Sequence, residues 1–155
     1  MSKGGLDHSE SVRIVLIEKN AAEVFLMRTF LDSEALLYQL EVLSDGADAR
    51  QFFREYSVTE KPIPSLVLLE LNLPKYDGFE VLKTIQETPG LSQLRVAVLT
   101  HGIDPNEAAA LSRFRLCFVR LKPDTVEGFT QLAREISEYA RQEWAKRRGA
   151  GYVSR

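Results

Sequence analysis

The chain has 155 residues, 45% of them apolar and 27% charged, with a formal charge of −2. That composition fits one globular domain with a real core and argues against disorder. No apolar run approaches the ~20 residues of a membrane span, the balanced charge gives no whole-domain case for nucleic acid, and the lone Cys117 excludes an internal disulfide. The polar start, Met1 to Glu10, lacks the basic and apolar stretches of a secretory signal, so a cytoplasmic location is expected.

Short apolar runs alternate with amphipathic stretches of helix length. Val12 to Ile17 opens as a β-branched strand interrupted only by Arg13. Ala22 to Leu31 follows as a helix with a broad apolar face. Tyr38 to Leu43 is a weaker strand, and Ala47 to Tyr56, carrying Ala49, Phe52, Phe53 and Tyr56, is a helix. Leu66 to Leu69 is wholly apolar, as befits a strand covered on both faces. Phe79, Leu82 and Ile85 mark a helix to Gln86, and Val96 to Leu99 is again a wholly apolar strand. Asp104 and Pro105 look like an N-cap and first helical residue for a helix to Phe114. Cys117 to Leu121 is a fifth strand, in which Cys117 reads as a buried small hydrophobe. Phe129, Leu132, Ala133, Ile136, Tyr139, Ala140 and Trp144 trace one face of a last helix, expected to end before Gly149. The boundaries predicted are a flexible N-terminus at 1–10, one domain at 11–145, and a flexible basic tail at 146–155 with Lys146, Arg147, Arg148 and Arg155. A solvated terminus is the preferred reading of that tail over a nucleic-acid contact.

Five β–α units in sequence predict an α/β fold, a doubly wound, five-stranded parallel sheet between helical layers. In such a sheet the site lies beyond the carboxyl ends of the strands. Glu18-Lys19-Asn20, Glu70-Leu71-Asn72, Thr100-His101 and Lys122-Pro123 occupy those ends. The loop Glu18 to Glu23 has no glycine and two acids, and no phosphate-binding glycine motif occurs elsewhere, which argues against a flavin- or nucleotide-binding protein of this architecture.

The segment from Leu66 through Glu70, Pro74, Asp77 and Gly78 to Leu82 strongly resembles the third strand and following loop of response-regulator receiver domains. The acidic residue after the first strand, Thr100 after the fourth and Lys122-Pro123 after the fifth agree in order and spacing. The resemblance covers Val12 to Trp144 and implies a flavodoxin-like, three-layer αβα receiver in two-component signal transduction. Pro89-Gly90-Leu91 further resembles the single-domain receivers that partner bacterial phytochromes. By that resemblance an aspartate at the position of Glu70 accepts phosphate from a histidine kinase. Acids after the first strand and the carbonyl at Asn72 hold Mg²⁺, and Thr100 and Lys122 contact the phosphoryl group. Two positions depart: Glu70 replaces the phosphoacceptor, and Lys19 replaces the direct metal ligand.

These departures predict a degenerate phosphoacceptor pocket of Glu18, Lys19, Glu70, Asn72, Thr100 and Lys122, with no catalytic residue, metal or other cofactor. Counting Glu18 and Glu70 against Lys19 and Lys122 gives zero formal charge, a poor receptacle for a hard dication that binds through carboxylates and water. Two readings of Glu70 stand open: imitation of a phosphorylated acid, or a structural lock by paired charges. The latter is preferred, because phosphate brings up to ~2 charges and a carboxylate one. The expected function is phosphorylation-independent signalling through protein contacts, without enzymatic activity. The alternative is a working receiver phosphorylated on Glu70. Val119 falls where receivers place a switch aromatic, and Phe118 reaches that position only through a local bulge. With no output domain expected after the last helix, partners are predicted to be proteins, among them a sensor histidine kinase or phytochrome-like sensor. A homodimer is also expected, with Tyr139 and Trp144 at its interface, because the last helix should overhang the sheet.

Overall fold

A computed structural model describes residues 11–56, 63–75 and 77–153, with side chains as far as Arg147. The segment 1–10, expected to be flexible, and the side chains of Arg148 and Arg155 lie outside the described residues. Strands β1 (Val12–Ile17), β2 (Tyr38–Leu43), β3 (Leu66–Leu69), β4 (Val96–Thr100) and β5 (Phe118–Leu121) alternate with helices α1 (Ala21–Asp32), α2 (Gly46–Glu55), α3 (Gly78–Glu87), α4 (Pro105–Leu111) and α5 (Val126–Val153). All strand pairs are parallel, in the order β2-β1-β3-β4-β5. This is the doubly wound sheet the alternation predicts.

The period of two along each strand divides the core. Ile14, Leu16, Leu66, Leu68, Ala97 and Leu99 face α1 and α5, meeting Met27, Leu31, Leu132 and Ile136. Val15, Ile17, Val67, Leu69 and Val98 face the other layer, meeting Phe53 of α2, Val81, Leu82 and Ile85 of α3, and Leu111 of α4. Both faces of β3 are therefore buried, which is why its sequence shows no alternation. The edge strands are less apolar: β2 is only half-buried, and β5 ends in exposed Arg120 and Leu121.

Caps set the helix starts that border the site. Asn20 accepts from the backbone N–H groups of Ala22 and Glu23, and Asp77 from that of Glu80. Asp104 caps α4 ahead of Pro105, as the sequence suggested, and Glu107 completes a reciprocal capping box, but α4 stops at Leu111 rather than Phe114.

The last helix corrects two expectations. It passes through Gly149 to Val153, so residues 146–153 continue the helix instead of forming a separate tail. Its end is also docked. Glu143, 5% exposed, is paired with Arg95 at 3.1 Å. Arg147 donates to the carbonyls of Ile63 and Pro64, each at 2.7 Å. Tyr139 and Trp144 pack on their own domain's core, Tyr139 edge-on to Phe118. The helix does overhang the sheet, but a buried ion pair and carbonyl capture supply the surface that strand length alone did not reveal. Cys117 is only half-buried, its thiol directed at the Val96 carbonyl.

Gly78 fixes the loop between β3 and α3. Its N–H donates to the Leu71 carbonyl at 2.8 Å, and a Cβ there would lie 2.6 Å from the Leu71 Cα. Gly78→Ala is therefore expected to lower stability by about 1–3 kcal/mol through overpacking, read as a reduced urea midpoint with an unchanged slope. Unaltered stability would show that the loop yields without cost.

Candidate functional site

The carboxyl ends of β1, β3, β4 and β5 bring Glu18, Glu70, Thr100 and Lys122 together, as the topology requires. Glu18, Glu70 and Thr100 are each 4% exposed. The Lys122 ammonium lies 2.5 Å from Glu18 Oε1, 2.5 Å from Glu70 Oε1 and 3.0 Å from Glu23 Oε2. Lys122 shares a small cavity with Leu16, Met27, Leu99, Phe129 and Leu132, so the charge lies at the edge of an apolar region. The carboxylates are held from behind. Glu18 Oε2 accepts from the Asn20 N–H at 3.1 Å, and Glu70 Oε2 from the Asn72 N–H at 3.0 Å.

Glu23 is the member that sequence reading missed. It stands in the first turn of α1, three residues after the Asn20 cap, so the cap that starts the helix also turns this acid toward the strand ends. The Asn-x-x-Glu spacing was the available signal. Lys19 is a correction of the opposite kind. It is exposed at the rim of a cleft of about 530 Å³ and forms no ion pair among the described residues. The balance of two acids against two lysines therefore does not describe the interior: three carboxylates converge on one ammonium. Asn72 is exposed on the same rim.

The two innermost carboxylates titrate in opposite directions. Burial raises Glu18 by more than its contacts with Lys122 and Asn20 lower it, and the charge of Glu23 adds a smaller rise. Burial also opposes ionisation of Glu70, but Lys122, the Asn72 N–H and the Thr100 hydroxyl together bring its pKa below the usual value. Lys122 is raised: burial works against the charge, and the carboxylates outweigh it. By linkage, the stability Glu70 contributes is present above the ordinary glutamate pKa and fades as pH falls through its depressed value. Glu18 works the other way, contributing most when protonated and losing that contribution as pH rises through its raised value. Lys122 contributes fully below the ordinary lysine pKa, and that contribution is lost as pH rises through its raised value.

Toward α4 and α5, β5 shows no bulge. Phe118 pairs with Ala97, Val119 with Val98, Arg120 with Leu99 and Leu121 with Thr100 in unbroken register. Phe118 therefore points into the α1–α5 layer, with the Arg120 guanidinium 5.1 Å from its ring centroid. Val119 faces the α4 layer. The Thr100 hydroxyl, with one proton to give, also has the Gly102 carbonyl as an alternative acceptor at 3.3 Å.

Removing the shared cation would strand three acids at the end of the sheet. Lys122→Met is expected to cost about 3–5 kcal/mol, measured by urea denaturation at neutral pH, with part of the loss recovered as pH falls and Glu18 takes up a proton. A loss that does not shrink on acidification would contradict the assignment.

The receiver-domain family model, described as "Response regulator receiver domain", matches residues 14–123. Response regulator Rcp1 of Synechocystis sp. is 37% identical over 98 residues, covering 63% of this chain and 67% of the relative. The structure of the Mn²⁺-bound form of Rcp1 superposes with a TM-score of 0.71 at 30% identity, over 81% of this chain and 91% of that one. The phosphorylated cyanobacterial phytochrome response regulator RcpA gives a TM-score of 0.74 at 28% identity, over 83% and 93%. With that sheet order and those strand-end residues, the chain belongs to the response-regulator receiver domain family.

Proposed function

We propose that this receiver signals without phosphorylation, through protein contacts, and that its pocket is held shut by its own charges. The observation that carries this reading is the Lys122 ammonium bridging Glu18, Glu70 and Glu23. A lysine committed to three carboxylates, two of them buried, is not free to meet an incoming phosphoryl group, and freeing it would expose uncompensated charge. Glu70, longer than aspartate by one methylene, directs one carboxylate oxygen at Lys122 and the other at the Asn72 N–H.

The residues present do not fit a receiver's Mg²⁺. Mg²⁺ requires near-ideal octahedral oxygen coordination. Here an ammonium sits between Glu18 and Glu70, and position 19, an exposed lysine, supplies no oxygen ligand. Val119 at the α4-facing position of β5 supplies no aromatic side chain to report on the pocket, which also favours a fixed state over a switched one. The structural lock accounts for this geometry better than imitation of a phosphorylated acid.

The proposed setting is cytoplasmic two-component signalling, without enzymatic activity. The proposed partners are proteins, including a sensor histidine kinase or phytochrome-like sensor, in keeping with the names of the relatives. Incubation with acetyl phosphate and Mg²⁺ is expected to leave the intact mass unchanged. The double variant Lys19→Asp/Glu70→Asp is expected to gain one hydroxylamine-sensitive phosphoryl group. Labelling of the unaltered chain on Glu70 would establish the alternative, a working receiver.

A homodimer through the α4–β5–α5 face is also proposed. Tyr139 and Trp144 are partly buried in their own domain and can offer a partner only their outer edges, whereas Leu121 on the same face is 61% exposed. Sedimentation at tens of micromolar is expected to show a dimer that Leu121→Asp dissociates. A monomer unaffected by that change would rule the dimer out.

A further inference from the structure

Glu23, Glu70 and His101 come together from α1 and from the ends of β3 and β4. One ligand atom from each lies within 4.8 Å of the others. His101 Nε2 is already 2.8 Å from Glu23 Oε1, and the three line the same cleft. We propose that these residues form a site for a borderline divalent transition ion of the zinc type, which shares Glu70 with the receiver Mg²⁺ pocket but draws its other ligands from Glu23 and His101 in place of residue 19 and the Asn72 carbonyl.

Donor chemistry selects the ion. One imidazole nitrogen with two carboxylate oxygens suits zinc, whereas Mg²⁺ takes oxygen donors and seldom imidazole. Zinc bonds of about 2.0–2.2 Å in tetrahedral geometry place ligand atoms about 3.4 Å apart. The 2.8 Å His101–Glu23 contact therefore needs to open slightly and the wider separations, up to 4.8 Å, to close, and His101, with a side chain 70% exposed, has room to move. The carboxylates are already oriented: Lys122 and the Asn72 N–H fix Glu70, and Lys122 fixes Glu23. Charge agrees as well. The carboxylates outnumber the one ammonium they share, so the cluster favours a cation, and Lys19 is exposed and forms no ion pair among the described residues. A fourth position remains for water. Bound zinc would tie the segment after β4 to the start of α1.

Isothermal titration of the full chain with zinc chloride, and separately with magnesium chloride, tests the site without reference to phosphorylation. The expected result is one saturable zinc per chain that excess magnesium does not displace. His101→Ala, at an exposed position where folding is not at stake, and Glu23→Gln are each expected to weaken zinc binding by about tenfold or more. His8→Ala, altering the only other histidine, is expected to leave it unchanged. Absence of saturable zinc binding, loss of binding in His8→Ala, or unchanged affinity in His101→Ala would overturn the proposal.

Discussion

The organisation of this receiver turns on one buried cation. Three strand or helix ends each contribute a carboxylate, and a fourth contributes the ammonium they share. None of these groups could be buried alone, since an isolated charge in a protein interior is costly and normally neutralises itself. Together they are tolerated, because the backbone N–H groups of Asn20 and Asn72 satisfy the oxygens that Lys122 does not reach. The opposite displacements of the Glu18 and Glu70 pKa values express this sharing. Glu70 has the Thr100 hydroxyl as an additional donor and remains the better anion, whereas burial outweighs the donors of Glu18, which is the carboxyl that resists ionisation.

The sandwich makes that arrangement rigid. Strands β1, β3 and β4 are packed on both faces, so their carboxyl ends can shift little relative to one another. Gly78 brings the start of α3 against Leu71, immediately after Glu70, and Asn20 caps α1 so that Glu23 faces inward. Stacking of Phe30 on Phe129, with ring centroids 5.3 Å apart, joins α1 to the start of α5, just beyond Lys122. The ion cluster therefore sits in a frame set by packing, and its members have few alternative partners.

The opposite end of the molecule follows the same physical logic with different groups. Arg95 pairs with the buried Glu143, and Arg147 gathers carbonyls from the segments entering β3 and β4. These contacts hold the long α5 against the sheet where apolar strand surface has run out. They also explain why Trp144, read from helix length as a free anchor, is packed at home.

Sequence alone determined the layer architecture, the strand positions and the convergence of Glu18, Glu70, Thr100 and Lys122. Hydrophobic period and parallel topology are local or rule-bound properties, and every strand had to end on the same side. Three matters were decided only by tertiary structure. Glu23 joined the cluster because a capped helix turned it inward, Lys19 left it because the adjacent position on the same loop points to solvent, and α5 continued past its glycines. In each case the outcome depended on side-chain direction or on partners more than forty residues away, Arg95 for Glu143 and Ile63 for Arg147. Propensity and spacing carry no information about such distant partners, so these features could emerge only once the chain was folded.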